Sequence, residues 1–449
     1  MLIGSFITLS HRIGRKLNFP KKKRTFCGIV EIDWRRTPMA GLIDHNKLYR
    51  LPWNFADNGI SWLEPTTACN LECEGCYRDT SKPEHKSLEE IKSDLEVFKK
   101  LRKSDCMSIC GGDPLVHPDI VAIVRISKEM GWKPILNTNG LALTKKRLQA
   151  LKEAGVFGFT FHIDTSQTRP KVDAKSESDL NELRLHYAQM LADAGGIACS
   201  FNSTVSENTV NDTPELVRWA QKYPDIVHTM VFIIYRSPDL AGDEFDVYAN
   251  GEKLGWGSTY KETEWGGKRL LFSQDVVEKI KEGDPLYEAS AYLNGTADPS
   301  SLKWLLATRV VFNGKVMGYV SPRFQEIVQD FYHLFKGRYL SYVKPKFIKK
   351  ARLTTFLTGI IDKKMRRIFF RILGQMLKNP LNIFRRAYFQ SFMVIQPVNI
   401  TKDGSQDMCD ACPDITVYQD RLVWSCRLEE LNLFGSFFTF VPKSREKTN

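Results

Sequence analysis

The 449-residue sequence has no uncharged apolar run of the roughly eighteen residues that a membrane-spanning helix needs. It also lacks a dispersed cysteine framework. The ten cysteines are bunched at short spacings, which argues against the disulfide scaffold of a secreted domain and for a cytoplasmic protein with reduced thiols. Histidine is scarce, and none follows His333, so any metal site in the C-terminal part must do without it. The apolar start "MLIGSFITLS" has its charges after it instead of before it and no small-residue cleavage site, so a secretory signal is not expected. No internal repeat or low-complexity tract occurs.

What is present reads as globular, with 43% apolar and 26% charged residues. The net charge of +12 is unevenly placed. From Lys336 to Arg386 fifteen Lys or Arg face one acid, Asp362, and residues 1–26 add seven cations with no acid. The rest of the chain is therefore acidic and carries two basic attachments.

Between residues 58 and 235 short β-branched or aromatic runs alternate with helical patterns, the rhythm of a parallel sheet with crossover helices. Six strands are predicted, at 60–65, 106–110, 134–137, 156–163, 197–205 and 226–235. Ser87 and Glu90 form a capping box ahead of Leu88, Ile91, Leu95 and Phe98, which share one helix face. Thr213 and Pro214 start another helix. Polar clusters fall at the carboxyl ends of the strands, where α/β folds gather function: "GGDP", "NTNG" with Asn139, "HIDTSQ", and Asn202 to Thr204 within the fifth strand. Residues 240–335 carry no assignable pattern, and 336–395 read as helical pieces broken near Pro345 and Pro380.

"EPTTACNLECEGCYRD" places Cys69, Cys73 and Cys76 just after the first strand. Three thiolates on one loop suit iron or zinc and leave one metal corner open for a substrate or cofactor. The Cys-x3-Cys-x2-Cys loop resembles that of the radical S-adenosylmethionine (SAM) superfamily, and the likeness runs through residues 58–235. It implies an α/β fold, a partial (βα)6 barrel, with a basic helical region and a small cysteine-rich C-terminal extension added to it. It further implies a 4Fe-4S cluster on the three cysteines, SAM on the open iron, and a 5′-deoxyadenosyl radical that takes hydrogen from an unactivated C–H bond. "CGGDPL" looks like the family's Gly-Gly-Glu-Pro motif, which makes Gly111, Gly112 and Asp113 SAM contacts. Two departures stand out: Asp113 replaces the glutamate, and Gly75 replaces the aromatic residue near the adenine, with Tyr77 just beyond. Asp164 and Asn202 are further cofactor candidates. "FHIDTSQTRP" reads either as a satisfied His162–Asp164 pair or as groups binding SAM or the substrate head group.

"CDACPDITVYQDRLVWSC" gives Cys409, Cys412 and Cys426, a spacing moderately specific for metal. By the same resemblance it looks like a short auxiliary iron-sulfur site; a zinc-stapled turn is the other reading. Cys27, Cys106, Cys110 and Cys199 have no ligand spacing, and Cys106 with Cys110 read as core.

In the basic segment, cations alternate with Phe, Ile and Leu, which gives a helix an apolar face flanked by charge, suited to an anionic membrane surface. The expectation is therefore a radical SAM enzyme at the membrane acting on a lipid or isoprenoid, with a reductant such as flavodoxin or ferredoxin. A peptide or protein maturase, a tRNA-modifying enzyme and a zinc-stabilised RNA-binding protein are the alternatives, although Asn and Gln are too sparse in the segment to favour nucleic acid. The chain divides as a basic leader (1–55), a core (56–236), an insertion with the basic helices (237–400) and the cysteine-bearing tail (401–449).

Overall fold

In the computed structural model residues 43–236, 244–255, 264–267 and 270–443 are described, and the apolar start, the basic stretch 1–26 and Cys27 lie outside them. After a two-residue strand β1 (Tyr49–Arg50), the chain alternates β2 (Ile60–Leu63), α1 (Leu88–Leu101), β3 (Cys106–Ile109), α2 (Ile120–Glu129), β4 (Lys133–Thr138), α3 (Lys145–Ala154), β5 (Gly158–His162), α4 (Asn181–Ala194), β6 (Ala198–Val205), α5 (Thr213–Lys222) and β7 (Thr229–Ile234). Strands β2 to β7 pair in sequence order, all parallel, and correspond to the six predicted strands. The capping box is formed: Glu90 N donates to Ser87 Oγ at 3.2 Å and Ser87 N to Glu90 Oε2 at 2.7 Å. Helix α1 then buries Ile91, Leu95 and Phe98.

The sheet does not stop at six strands. The remaining elements are β8 (Phe245–Ala249), β9 (Glu252–Lys253), α6 (Ser273–Gly283), β10 (Ala291–Leu293), β11 (Trp304–Phe312), β12 (Lys315–Tyr319), α7 (Pro322–Lys336), α8 (Pro345–Ile348), α9 (Ala351–Thr358), α10 (Lys363–Lys378), β13 (Ala387–Ile395), β14 (Asn399–Ile400), β15 (Gln406–Asp407), β16 (Ile415–Tyr418), β17 (Arg421–Trp424), α11 (Leu428–Phe434) and β18 (Thr439–Pro442). The main sheet runs β1-β10-β11-β13-β7-β6-β5-β4-β3-β2, with β12 attached to β11. Strand β13 lies parallel to β7, and β11 antiparallel to β13. The helical expectation for 336–395 is thus corrected at its end. Residues 387–395 alternate buried Phe392 and Val394 with half-buried Ser391, Met393 and Ile395, a strand period obscured by the basic helical composition before it.

One face of the sheet packs under helices: Leu136, Phe159, Phe161, Phe201, Phe232, Phe392 and Val394 share a core with side chains of α1 to α6. Residues two apart in a strand share a face, so the other face carries the intervening residues. Asn137, Thr160, His162, Asn202 and Thr204 make it polar along β4 to β6, whereas Val231, Ile233, Met393, Ile395 and Leu306 make it apolar along β7, β13 and β11. Tyr342 packs with Ile60, Cys106, Ile135, Phe157 and Ala198 and so covers this face at the strand starts. The basic segment therefore underlies the amino ends of the strands, opposite the cysteine loop. The C-terminal extension meets β2: Ser425 Oγ donates to Glu64 Oε1 at 2.7 Å, and Arg102 Nη2 to the Cys412 carbonyl at 2.8 Å.

Candidate active site

The loop after β2 is held from both sides. Thr66 Oγ1 donates to the Glu84 carbonyl at 2.8 Å, closing the loop's base. Glu74 N donates to Ser166 O at 2.8 Å and Thr168 N to Glu72 O at 3.0 Å, strapping the cysteines to the loop after β5. The third brace comes from "GGDP". Gly112 N donates to Thr66 O at 2.9 Å and Asp113 N to Ala68 O at 2.8 Å. This approach needs glycine. A Cβ on Gly111 (φ +110°) would stand 2.1 Å from the Thr66 carbonyl oxygen, and one on Gly112 would stand 2.2 Å from that of Ala68.

Cys69 and Cys73 are half-buried and Cys76 is exposed. Burial raises the Cys69 thiol, helped by Asp113 and Cys76, and pushes Cys73 up to about 12, helped by Cys76, Asp164 and Cys69. The three sulfurs therefore feel one another's charge. No three His, Cys, Asp or Glu among the described residues are disposed to hold a single metal ion. In a four-iron cube each thiolate binds a different iron, so the ligands stand farther apart than those of one ion. Three neighbouring thiols on a strapped loop, each costly to ionise beside the others, fit such a cluster, whose positive irons would bind them as thiolates and offset that cost. The polar sheet face also offers unmet polar atoms: Asn202 Oδ1 and Asn137 Nδ2 are buried without a partner. Residues to engage a polar cofactor are thus in place.

The structure brings some expected residues to this mouth and turns others away. Asn139 Nδ2 donates to Asn70 Oδ1 at 2.8 Å and lies 3.8 Å from Cys69 Sγ, so Asn139 stands at the cluster loop. Asp113 accepts from Leu115 N at 2.9 Å, Asn139 N at 2.8 Å and Thr138 Oγ1 at 2.7 Å, so its carboxylate braces β3 against β4. Asp164 is saturated as well: it accepts from His162 Nε2 at 2.6 Å, Thr204 N at 2.7 Å and Ser166 Oγ at 2.5 Å. Burial opposes its ionisation, but the His162 charge and these bonds outweigh it and hold Asp164 well below the usual carboxylate range. Arg169 donates to the Asn139 and His162 carbonyls at 2.7 and 3.0 Å, tying two strand ends together.

Tyr77 points elsewhere. Its ring lies 5.0 Å under the Arg78 guanidinium, near Glu64, Cys110 and Ser425, on the side of the C-terminal extension. The aromatic residue beside Gly75 is instead Tyr235, at the end of β7: a Cβ on Gly75 would fall 2.2 Å from its ring. Sequence reading missed Tyr235, Asn70 and Asn137. Parity with Asn139 in "NTNG" would have found Asn137, but nothing local marks Tyr235.

The C-terminal cysteines also converge. Cys412 is driven up by a hydrogen bond with Cys409 and then by burial, and Cys426 is pushed to about 12 by burial and then by Cys412. Asp414 beside them is held up at about 7 by burial, with Oδ1 buried and unpartnered. Cys106, Cys110 and Cys199 are buried.

Residues 63–232 match the family model of the Radical SAM superfamily. An AdoMet-dependent heme synthase of Methanosarcina barkeri is 26% identical over 42% of this chain and 53% of its own length. A tungsten-containing aldehyde ferredoxin oxidoreductase cofactor-modifying protein of Pyrococcus furiosus is 34% identical over 25% of this chain and 32% of its own. A crystal structure of methylornithine synthase is 18% identical, with a TM-score of 0.31 over 40% of this chain and 54% of that one. The chain thus spans about half or less of the length of these three. With the strapped three-cysteine loop and the glycine cradle inside the matched stretch, residues 63–232 form a domain of the radical SAM type, whose cofactors are a 4Fe-4S cluster and SAM.

Proposed function

We propose that this chain is a radical SAM enzyme that functionalises an unactivated C–H bond of a membrane-derived lipid or isoprenoid. The observation that carries the substrate class is the two-part character of the sheet face turned away from the helices: Asn137, His162, Asn202 and Thr204 make it polar, and Ile233, Met393, Ile395 and Leu306, the last three partly covered by Leu51 and Trp53, make it apolar. An amphiphile satisfies both, its head group on the unmet amide atoms and its hydrocarbon on β7, β13 and β11.

Within this reading Cys69, Cys73 and Cys76 hold the cluster. When bound and reduced, by a flavodoxin or ferredoxin, the cluster and SAM supply a carbon radical strong enough to take hydrogen from an alkyl carbon. The chain's own share is positional. Gly111 and Gly112 fix the loop, Asn139 orients beside Cys69, Arg169 clamps the strand ends, and Asn202 offers a free carbonyl oxygen. The apolar wall excludes water that would quench the reaction. Cys409, Cys412 and Cys426 hold an auxiliary iron-sulfur cluster, with Asp414 at hand for its fourth corner.

The cationic apolar helices support membrane attachment, but at the floor of the barrel, so they tether the enzyme instead of feeding the mouth directly. Anaerobic 5′-deoxyadenosine release, measured with total lipid extract, total RNA and no addition, tests the proposal. Stimulation by lipid alone is expected. Stimulation by RNA alone overturns the lipid assignment and leaves the SAM chemistry standing.

A further inference from the structure

The amino ends of β3, β4 and β5, far from the cysteine loop, border a cleft of about 350 Å³. Five cations line it, Lys128, Lys133, Lys336, Arg338 and Lys344, against one carboxylate, Asp105. That carboxylate is already engaged. It accepts from Lys133 Nζ at 2.6 Å, Tyr332 OH at 2.8 Å and the Ser341 hydroxyl at 3.2 Å. Lys133 is thereby neutralised and fixed, its ammonium also 5.1 Å over the rings of Phe157 and Tyr332. Arg338 donates one Nη1 to the Gly131 carbonyl at 2.7 Å, which anchors it while leaving its charge uncompensated. Among the described residues Lys128, Lys336, Arg338 and Lys344 form no ion pair. Four unpaired cations around one cleft repel one another unless an anion sits among them.

We propose that this cleft binds a phosphate monoester, and that in the cell the phosphate is the head group of an anionic lipid. The surroundings favour the lipid source. Lys336 ends α7, whose exposed Phe331, Leu334 (76% exposed) and Phe335 (74% exposed) stand directly before it. Phe347, exposed beyond Lys344, carries Lys346 and Lys350 at 5.2 and 5.6 Å from its ring. A phosphate held in the cleft would put its acyl chains beside these apolar side chains, with the bilayer plane across the floor of the barrel. The inference deepens the membrane part of the function proposed above and is independent of the substrate.

The test is flotation of the full chain with phosphatidylcholine vesicles carrying phosphatidic acid or, at matched surface charge, phosphatidylserine, with titration calorimetry of inorganic phosphate alongside. Wild type is expected to bind the phosphatidic acid vesicles about tenfold more tightly, and Lys336→Gln with Lys344→Gln to lose that preference while keeping the charge-dependent part. Both lysines are solvent-exposed, so the variant should fold, which 5′-deoxyadenosine release from SAM at the other end of the barrel verifies. Equal binding to the two vesicles, or a preference that survives in the variant, overturns the lipid head-group site. Calorimetric binding of inorganic phosphate, lost in the variant but without a vesicle preference, keeps the anion site and makes its ligand a water-soluble phosphoester. Loss of lipid-stimulated turnover with the vesicle preference intact sinks the substrate assignment and leaves this site untouched.

Discussion

Gly111→Ala tests the link between backbone geometry and cofactor binding. The new Cβ would stand 2.1 Å from the Thr66 carbonyl oxygen, at a φ of +110° that L-residues avoid. The strained backbone costs about 1–3 kcal/mol and the overpacking about 1–3 kcal/mol more. A domain with about 5–15 kcal/mol of stability survives most of that range, and Tm should fall by roughly 5–20 °C. Relief comes most easily by shifting Thr66 to Ala68, the residues that launch the cysteine loop, because β3 itself is pinned between β2 and β4. The variant should therefore fold yet incorporate less iron after anaerobic reconstitution and bind SAM more weakly. Gly374→Ala is the control: it lies within α10 with nothing within 4 Å of the added carbon, and should stabilise by about 0.5–1 kcal/mol. If Gly111→Ala keeps full iron, SAM affinity and Tm, the glycine approach is not what sets the loop.

Replacing Cys69, Cys73 or Cys76 by Ala should leave Tm within a few degrees, since none lies in a hydrophobic core, while abolishing the cluster's absorbance and 5′-deoxyadenosine release; SAM cleavage by any of the three variants refutes their role. Cys412→Ala should lower iron per chain without removing the first cluster's SAM-dependent signal, and an unchanged iron content argues that the C-terminal site holds none. His228 is buried, accepts from Cys199 N at 3.0 Å through Nδ1, and is depressed from 6.5 to about 4, chiefly by burial. Because the unfolded chain takes up this proton first, its contribution is complete above pH 6.5 and is lost as pH falls through 4. The loss is up to about 3 kcal/mol, so the unfolding free energy from denaturant titrations should fall more between pH 7 and pH 4.5 for wild type than for His228→Asn. Phe370→Ser with Leu377→Ser, on the outward side of α10 opposite buried Met365, Ile368 and Ile372, should weaken vesicle flotation without lowering Tm.

Much of the core was legible because its signals are local. The alternation of β-branched runs and capped helices marked all six parallel strands, and the Cys-x3-Cys-x2-Cys spacing with "GGDP" marked the loop and its brace. The long-range parts were not legible. Strand β13 enters the sheet beside β7 although about 150 residues of chain separate them, and no local pattern specifies a partner that remote. Tyr77 follows the cysteines in sequence yet turns to the C-terminal extension, whereas Tyr235, from the far strand, packs on Gly75. Asp113 and Asp164 read as cofactor contacts because of where they sit in their motifs. Only the structure reveals that their oxygens are already occupied by the chain.

The sequence by itself determined the chemistry that is available, because thiol spacing, glycine placement and strand period act over a few residues. It also determined that a dense positive charge lies between 336 and 386. Tertiary structure decided what that charge faces. The fold carries the basic segment under the strand starts, with Tyr342 as the floor and the lysines around a cleft, so the cations lie at the opposite end of the barrel from the cysteines. Which end a segment reaches depends on crossovers and packing summed over the whole chain, and no local pattern encodes it.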